Sequence, residues 1–147
     1  MQLPRYHRLR QSFYRLKGSR CANCERAFFP PRKLCRDCCS TNLETYLFAG
    51  SGTLYSYSQM TQSPRGFSNI GPYVVGMVTL DEGPVIMAQL TDVDGVELRI
   101  GMPVEMVTRK IQENSANGYI VYGYKFRPLL LNATETLLSS PDVAATT

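Results

Sequence analysis

The chain has 147 residues, 44% of them hydrophobic, enough for one ordinary domain or for a small barrel with an appended module. No stretch approaches the ~20 apolar residues of a membrane span. The opening MQLPRYHRLRQSFYRLKG lacks the apolar run of an export signal, so the reading is cytoplasmic, with no membrane role. The net charge of +4 is uneven: residues 1–40 carry ten Lys or Arg against Glu25 and Asp37, and the remainder carries six against ten acids. A basic N-terminal module fits an anionic partner (nucleic acid, a phosphate-bearing ligand or an acidic protein surface) or a solvated helix face.

Residues 1–18 are expected to form an amphipathic helix. Tyr6, Leu9, Phe13 and Leu16 recur at spacings of three and four, while Arg8, Arg10, Arg15 and Lys17 lie largely off that stripe. Pro4 suits a first turn and Gly18 a stop. The stripe must pack on the rest of the chain or on a partner, and its four apolar residues are the candidate docking surface.

Residues 19–42 hold the sharpest signal. Cys21 and Cys24 form one CxxC pair, and Cys35 and Cys38 a second. Each pair places two thiolates on one tight turn, and two turns supply the four soft ligands that tetrahedral zinc prefers. The spacing is that of a zinc ribbon, with one structural ion expected. Disulfides would need an oxidising compartment; iron in a rubredoxin-like site accepts the same ligands. Cys39, next to the second pair, reads as a bystander thiol, although CxxxC would also work. Between the pairs, Phe28 and Phe29 supply a small core, and Pro30 and Pro31 stiffen the connection.

From residue 43 the hydrophobic period becomes two. LETYLFA, GTLYSYSQM, PYVVGMVTLD, PVIMAQLTD, MPVEMVTRK and YIVYGYKFRP read as strands rich in Val, Ile, Tyr and Thr. Asp81-Glu82-Gly83-Pro84 is a hairpin turn, and Gly50, Gly52 and Gly101 mark bends or bulges. The predicted class is mainly β: a helix, a rubredoxin-like zinc ribbon and a five- or six-stranded OB-type barrel over residues 43–131. A small sandwich is the alternative. Residues 61–72 form a long loop carrying Arg65 and Phe67, suited to binding. Residues 132–147 are Thr-, Ser- and Ala-rich and expected to be disordered.

No catalytic set assembles. His7 is the single histidine and sits among arginines. Four thiolates would close a zinc shell and leave no position for water activation. There is no phosphate loop or Rossmann fingerprint. A binding or bridging role follows.

Several segments together resemble a known family: FYRLKGSRC, CANC followed by AFFPPRKLC, GSGTLYSYS, PYVVGMVTLDEGP, LRIGMPVEM and YKFRP. The resemblance is to acyl-CoA-associated proteins that join a helix, a rubredoxin-like zinc ribbon and an OB fold. It covers about residues 5–130. The family usually has glycine after each CxxC, where the backbone turns left-handed; here Glu25 and Cys39 stand there, and Arg36 replaces a common proline. The resemblance implies a non-catalytic partner of a thiolase or HMG-CoA-synthase-like acyltransferase. The barrel is implied to hold the pantetheine of coenzyme A or an acyl-CoA, and the ribbon and helix to dock enzymes so that acyl-CoA intermediates pass between sites. Arg65, Lys125 and Arg127 are then candidates for the anionic end of coenzyme A, and Phe67, Tyr73 and Tyr124 for its pantetheine or adenine. A single-stranded nucleic-acid binder would also use aromatic platforms on an OB barrel. The acidic balance of the barrel half argues against it. A plain scaffold without a small ligand is a third reading.

Overall fold

A computed structural model describes residues 3–62, 71–113 and 118–130. Arg65, Phe67 and the proposed tail at 132–147 lie outside them.

The N-terminal segment forms two short helices, α1 (Leu3–Arg8) and α2 (Arg10–Arg15). The bonds from Leu9 N–H to Arg5 O (3.1 Å) and from Phe13 N–H to Leu9 O (3.0 Å) carry the helical pattern across the break. The single helix expected over residues 1–18 instead ends at Arg15, because Leu16 turns left-handed (φ 48°). That turn drives the Leu16 side chain into the barrel core, where it is fully buried.

The ribbon is a three-stranded antiparallel sheet ordered β2-β1-β3: β1 (Lys17–Cys21), β2 (Ala27–Phe28) and β3 (Leu43–Leu47). The segment from Leu43, expected to open the barrel, pairs instead with β1 from Lys17↔Leu47 to Cys21↔Leu43. Gly18 is not a stop signal. It lies within β1, where a Cβ would collide with the Phe28 carbonyl oxygen and the Phe48 ring.

The barrel is closed and five-stranded, ordered β4-β5-β6-β8-β7. Its strands are β4 (Ser51–Met60), β5 (Tyr73–Leu80), β6 (Val85–Leu90), β7 (Pro103–Glu113) and β8 (Ile120–Pro128). Closure comes at two seams. β4 meets β7 at Ser51↔Glu105, and β6 meets β8 in parallel at Leu90↔Phe126. This is the OB arrangement. The predicted hairpin turn is present: Gly83 has φ 104°, and Leu80 N–H donates to Pro84 O at 2.9 Å.

One core serves both modules. Leu54, Val78, Leu80, Val104 and Phe126 fill the barrel, and Leu16 and Phe48 join them. Phe29 of the ribbon stacks edge-on against Phe48 (6.2 Å) and against Tyr124 of β8 (5.5 Å). Such aromatic pairs add roughly 0.5–1.5 kcal/mol beyond burial, so ribbon and barrel are coupled.

Candidate metal centre and surrounding sites

The strand-turn-strand geometry builds the cysteine cluster. Cys21 ends β1, and its N–H donates to Arg26 O at 2.9 Å, while Glu25 N–H returns to Cys21 O at 2.9 Å. These bonds fold the first CxxC into a tight turn. In the second, Cys35 N–H donates to Ser40 O at 2.8 Å. The four sulfurs of Cys21, Cys24, Cys35 and Cys38 lie within 4.8 Å of one another, with Cys21–Cys38 and Cys24–Cys35 each 3.5 Å apart. A tetrahedron with metal–sulfur bonds of ~2.3 Å has sulfur–sulfur edges of ~3.8 Å, so the cluster fits one ion. Cys21 and Cys35 are buried; Cys24 and Cys38 are exposed. Cys39 is exposed and outside the cluster.

Electrostatics within the cluster favour a cation. The Cys38 N–H brings the Cys35 thiol down to about 6 against the opposing effect of desolvation. The Cys24 N–H likewise lowers Cys21. Cys38 is pushed up to about 12: the Ser40 N–H lowers it, but the neighbouring Cys35 and Cys21 sulfurs outweigh that bond. Cys24 is raised too; there the Arg26 N–H is opposed by the Cys35 sulfur and by burial. The sulfurs thus oppose one another's ionisation, and a dication bound among them would stabilise all four thiolates.

The two positions after the knuckles lack the glycine that the family resemblance leads one to expect there. Glu25 has φ 59° and Cys39 has φ 53°. The left-handed turn is kept without glycine in both.

Of the candidate coenzyme A residues, Tyr73, Tyr124, Lys125 and Arg127 are among the described residues, and Tyr124 faces away from Lys125 and Arg127. Tyr124 is half-buried on the core side of β8, against Phe29, and burial raises its hydroxyl pKa. Lys125 and Arg127 alternate to the other face. Arg127 is engaged by Glu105 at 2.7 Å and lies 4.0 Å from Asp92, which also accepts from Arg109 at 3.0 Å. Lys125 is only 9% exposed, and burial holds its amine below the ordinary lysine value. Tyr73, half-buried, begins β5. Among the candidate docking residues, Tyr6 stacks on Phe13 (5.3 Å), and both line a small cavity against Tyr119–Tyr122 at the start of β8. Leu9 is half-buried. Leu16 has no surface to offer a partner: the αL turn that ends α2 places it in the core.

Sequence reasoning missed a groove between the ribbon and the β5–β6 hairpin, of about 700 Å³, walled by Arg20, Arg26, Arg32 and Arg36 and by Glu82. Its signal was the basic excess of residues 1–40. Nothing in the sequence said that those arginines would face the distant Glu82.

A four-cysteine ribbon joined to an OB barrel through a shared core defines a two-module zinc-ribbon and OB-fold protein. Family models agree: a ChsH2 rubredoxin-like zinc ribbon domain matches residues 14–44, and a ChsH2 C-terminal OB-fold domain matches residues 46–109. A DUF35 domain-containing scaffold protein of Pyrococcus furiosus is 46% identical over 88% of this chain and 95% of its own length. A second DUF35 domain-containing scaffold protein, from Methanothermobacter thermautotrophicus, is 42% identical over 78% of this chain and 87% of its own length. The solved structure titled Ltp2-ChsH2(DUF35) aldolase matches 86% of this chain and 91% of that chain, with a TM-score of 0.64 and 30% identity. The chain belongs to the DUF35 family of zinc-ribbon and OB-fold proteins. Among the described residues, no helix is long and apolar enough to cross a membrane.

Proposed function

We propose that this chain is a bridging subunit without chemistry of its own. It would dock a thiolase-superfamily acyltransferase and hold acyl-CoA intermediates as they pass between active sites. One observation carries the reading: the chain matches a scaffold protein along almost its whole length. The architecture is consistent with it. The four-cysteine site, filled with zinc, would be closed to substrate, so the ion would fix the ribbon and leave chemistry to a partner. The similarity to a chain in a structure titled Ltp2-ChsH2(DUF35) aldolase supports association with an enzyme. The basic N-terminal half would steer an acidic enzyme surface or the phosphates of coenzyme A.

Docking would use the half-exposed Tyr6, Leu9 and Phe13, with arginines at the rim. The test is co-expression with a thiolase or HMG-CoA-synthase-like enzyme from the same source, followed by affinity purification and titration with coenzyme A. The expected result is a stable complex, binding of coenzyme A, and no condensation or hydrolysis of acetyl-CoA by the purified chain alone. Turnover by the chain alone, abolished by a point substitution in it, would overturn the reading.

A further inference from the structure

Strand β6 has a free edge. It pairs with β5 on one side, from Thr79↔Val85 to Val74↔Leu90. On the other side the described residues give it a single bridge, Leu90↔Phe126 of β8. That bridge directs Thr91 N–H to Phe126 O at 2.8 Å. Backbone groups alternate in direction along a strand, so Val85 and Met87, like Thr91, turn their N–H and C=O away from β5. Among the described residues nothing hydrogen-bonds to those groups of Val85 and Met87. Ile86, Ala88 and Leu90 are anchored in the core, while the side chains of Val85 and Met87 are exposed, Met87 to 70%.

Soluble proteins guard such edges with charge, with bulges or with proline inside the strand. This edge has none of these. Val85–Leu90 contains no charged residue, and its register against β5 is unbroken. Strands β4 and β5 beside it contain no charged residue either, and Tyr55, Met60 and Met77 are exposed on them. An open strand in an uncharged sheet is a template for another strand.

The groove beside this edge says which strand fits. Gly83, Pro84 and Val85 line its barrel wall, and Phe28 of β2 lines the ribbon wall. Four arginines of the ribbon face it as well, and two are committed locally. Arg20 binds the backbone oxygen (2.9 Å) and the carboxylate (3.3 Å) of Glu25, and Arg26 pairs with Asp37 at 3.1 Å. Arg32 and Arg36 are exposed, and their side chains have no partner among the described residues. The Arg32 backbone is fixed, its N–H donating to the buried Ser19 Oγ at 3.0 Å. An extended segment laid on β6 therefore meets apolar side chains and two unpaired guanidinium groups, which carboxylates engage as planar forks. The β6 strand of a second copy would bring no acid to them.

We infer that β6 accepts an added strand from a partner protein: an extended segment of alternating apolar and acidic residues, its backbone paired with Val85 and Met87 and its carboxylates on Arg32 and Arg36. The inference deepens the bridging proposal and rests on it for the source of the segment, an enzyme partner. A bridging subunit needs two docking surfaces, and this one is separate in sequence from Tyr6, Leu9 and Phe13.

The experiment is a magnetic-resonance titration of the zinc-loaded, nitrogen-15-labelled full chain with an end-blocked octapeptide of alternating Glu and Val. The expected result is one-to-one binding that slows amide exchange at Val85 and Met87. Arg32→Ala with Arg36→Ala should weaken it at least tenfold, with metal content unchanged. Only alternate residues of an added strand face the edge, so methylating the peptide nitrogens of either its glutamates or its valines, but not of both sets, should abolish binding. Met87→Pro removes an N–H that β5 does not use and should abolish it too; Met87→Glu, at an exposed side chain, tests the same contact should the proline variant unfold. Equal binding of a Lys-Val octapeptide, or of both methylated forms, overturns the inference. So does peptide binding strengthened by Glu135→Ala with Asp142→Ala, which would put the chain's own tail on the edge, or a peptide-free dimer that Met87→Glu dissociates. Co-purification of a thiolase-type enzyme that ignores the Met87 and arginine substitutions overturns this docking edge and leaves the bridging reading standing. Peptide bound at the edge with no enzyme co-purified upholds the edge and removes the bridging reading's partner.

Discussion

Leu16→Ala tests the central structural finding, that the N-terminal segment is part of the barrel core. The Leu16 side chain is fully buried among residues of both modules. Truncating a buried leucine costs about 2–5 kcal/mol from lost transfer energy and the residual cavity. A site this well enclosed collapses little, so about 3 kcal/mol is expected. Leu16 also sits at φ 48°, where a residue with a Cβ is strained by roughly 1–2 kcal/mol. Alanine keeps that strain and glycine relieves it. Leu16→Gly should therefore be no worse than Leu16→Ala, reversing the usual penalty of about 0.5–1 kcal/mol for glycine in a regular element. The assay is urea unfolding of the full chain at a fixed excess of zinc, so that metal binding contributes equally to each variant. With a slope of about 1–3 kcal/mol/M, the midpoint should fall by on the order of 1–3 M for either variant. Tyr14→Ala, at an exposed position of α2, is the control and should move it little. A loss for Leu16→Ala no larger than the control's would refute the packing. A glycine variant clearly worse than alanine would refute the strain.

The same logic applies to the knuckles. Glu25→Gly and Cys39→Gly each relieve a left-handed non-glycine residue and should stabilise by about 0.5–1 kcal/mol, since the Arg20–Glu25 pair lost in the first is mostly exposed and contributes little; a lower thermal midpoint for both would count against it. Elemental analysis should find about one zinc per chain, lost in Cys35→Ser and kept in Cys39→Ser, because Cys39 lies outside the sulfur cluster; retention of metal by Cys35→Ser would be the contrary result. Burial, and then the charge of Arg109, holds the Lys125 amine low. The folded state therefore binds fewer protons than the unfolded state between that depressed value and the ~10.4 of free lysine, so this residue makes stability rise with pH across that window. Lys125→Met should raise stability at neutral pH and flatten the alkaline slope; an unchanged slope would show that the amine is not desolvated.

Local rules read most of this architecture from the chain. The five barrel strands were visible as period-two runs because each has one face on the core and one toward solvent, and the thiolate site was visible because metal-ligand spacing is short-range. What escaped was set by long-range pairing. Leu43–Leu47 reads like any barrel strand, and only its register against Lys17–Cys21 assigns it to the ribbon. Leu16 completes a helical stripe on paper, yet one φ change removes it from the helix and from any docking face.

Charge shows the same division most sharply. Counting along the chain gives a basic module and an acidic remainder, which suggests a single electropositive surface. The fold sorts those charges instead. Arg127 and Arg109 are drawn to Glu105 and Asp92 on the barrel, and Arg20 and Arg26 to acids beside the thiolate cluster. Arg32 and Arg36 are left facing a groove whose far wall includes Glu82. What sets this groove apart is which charges lack a local partner among the described residues, not how many there are. That property depends on residues some 50 positions apart in sequence, across the ribbon–barrel boundary, which is why composition could count these charges and could not sort them.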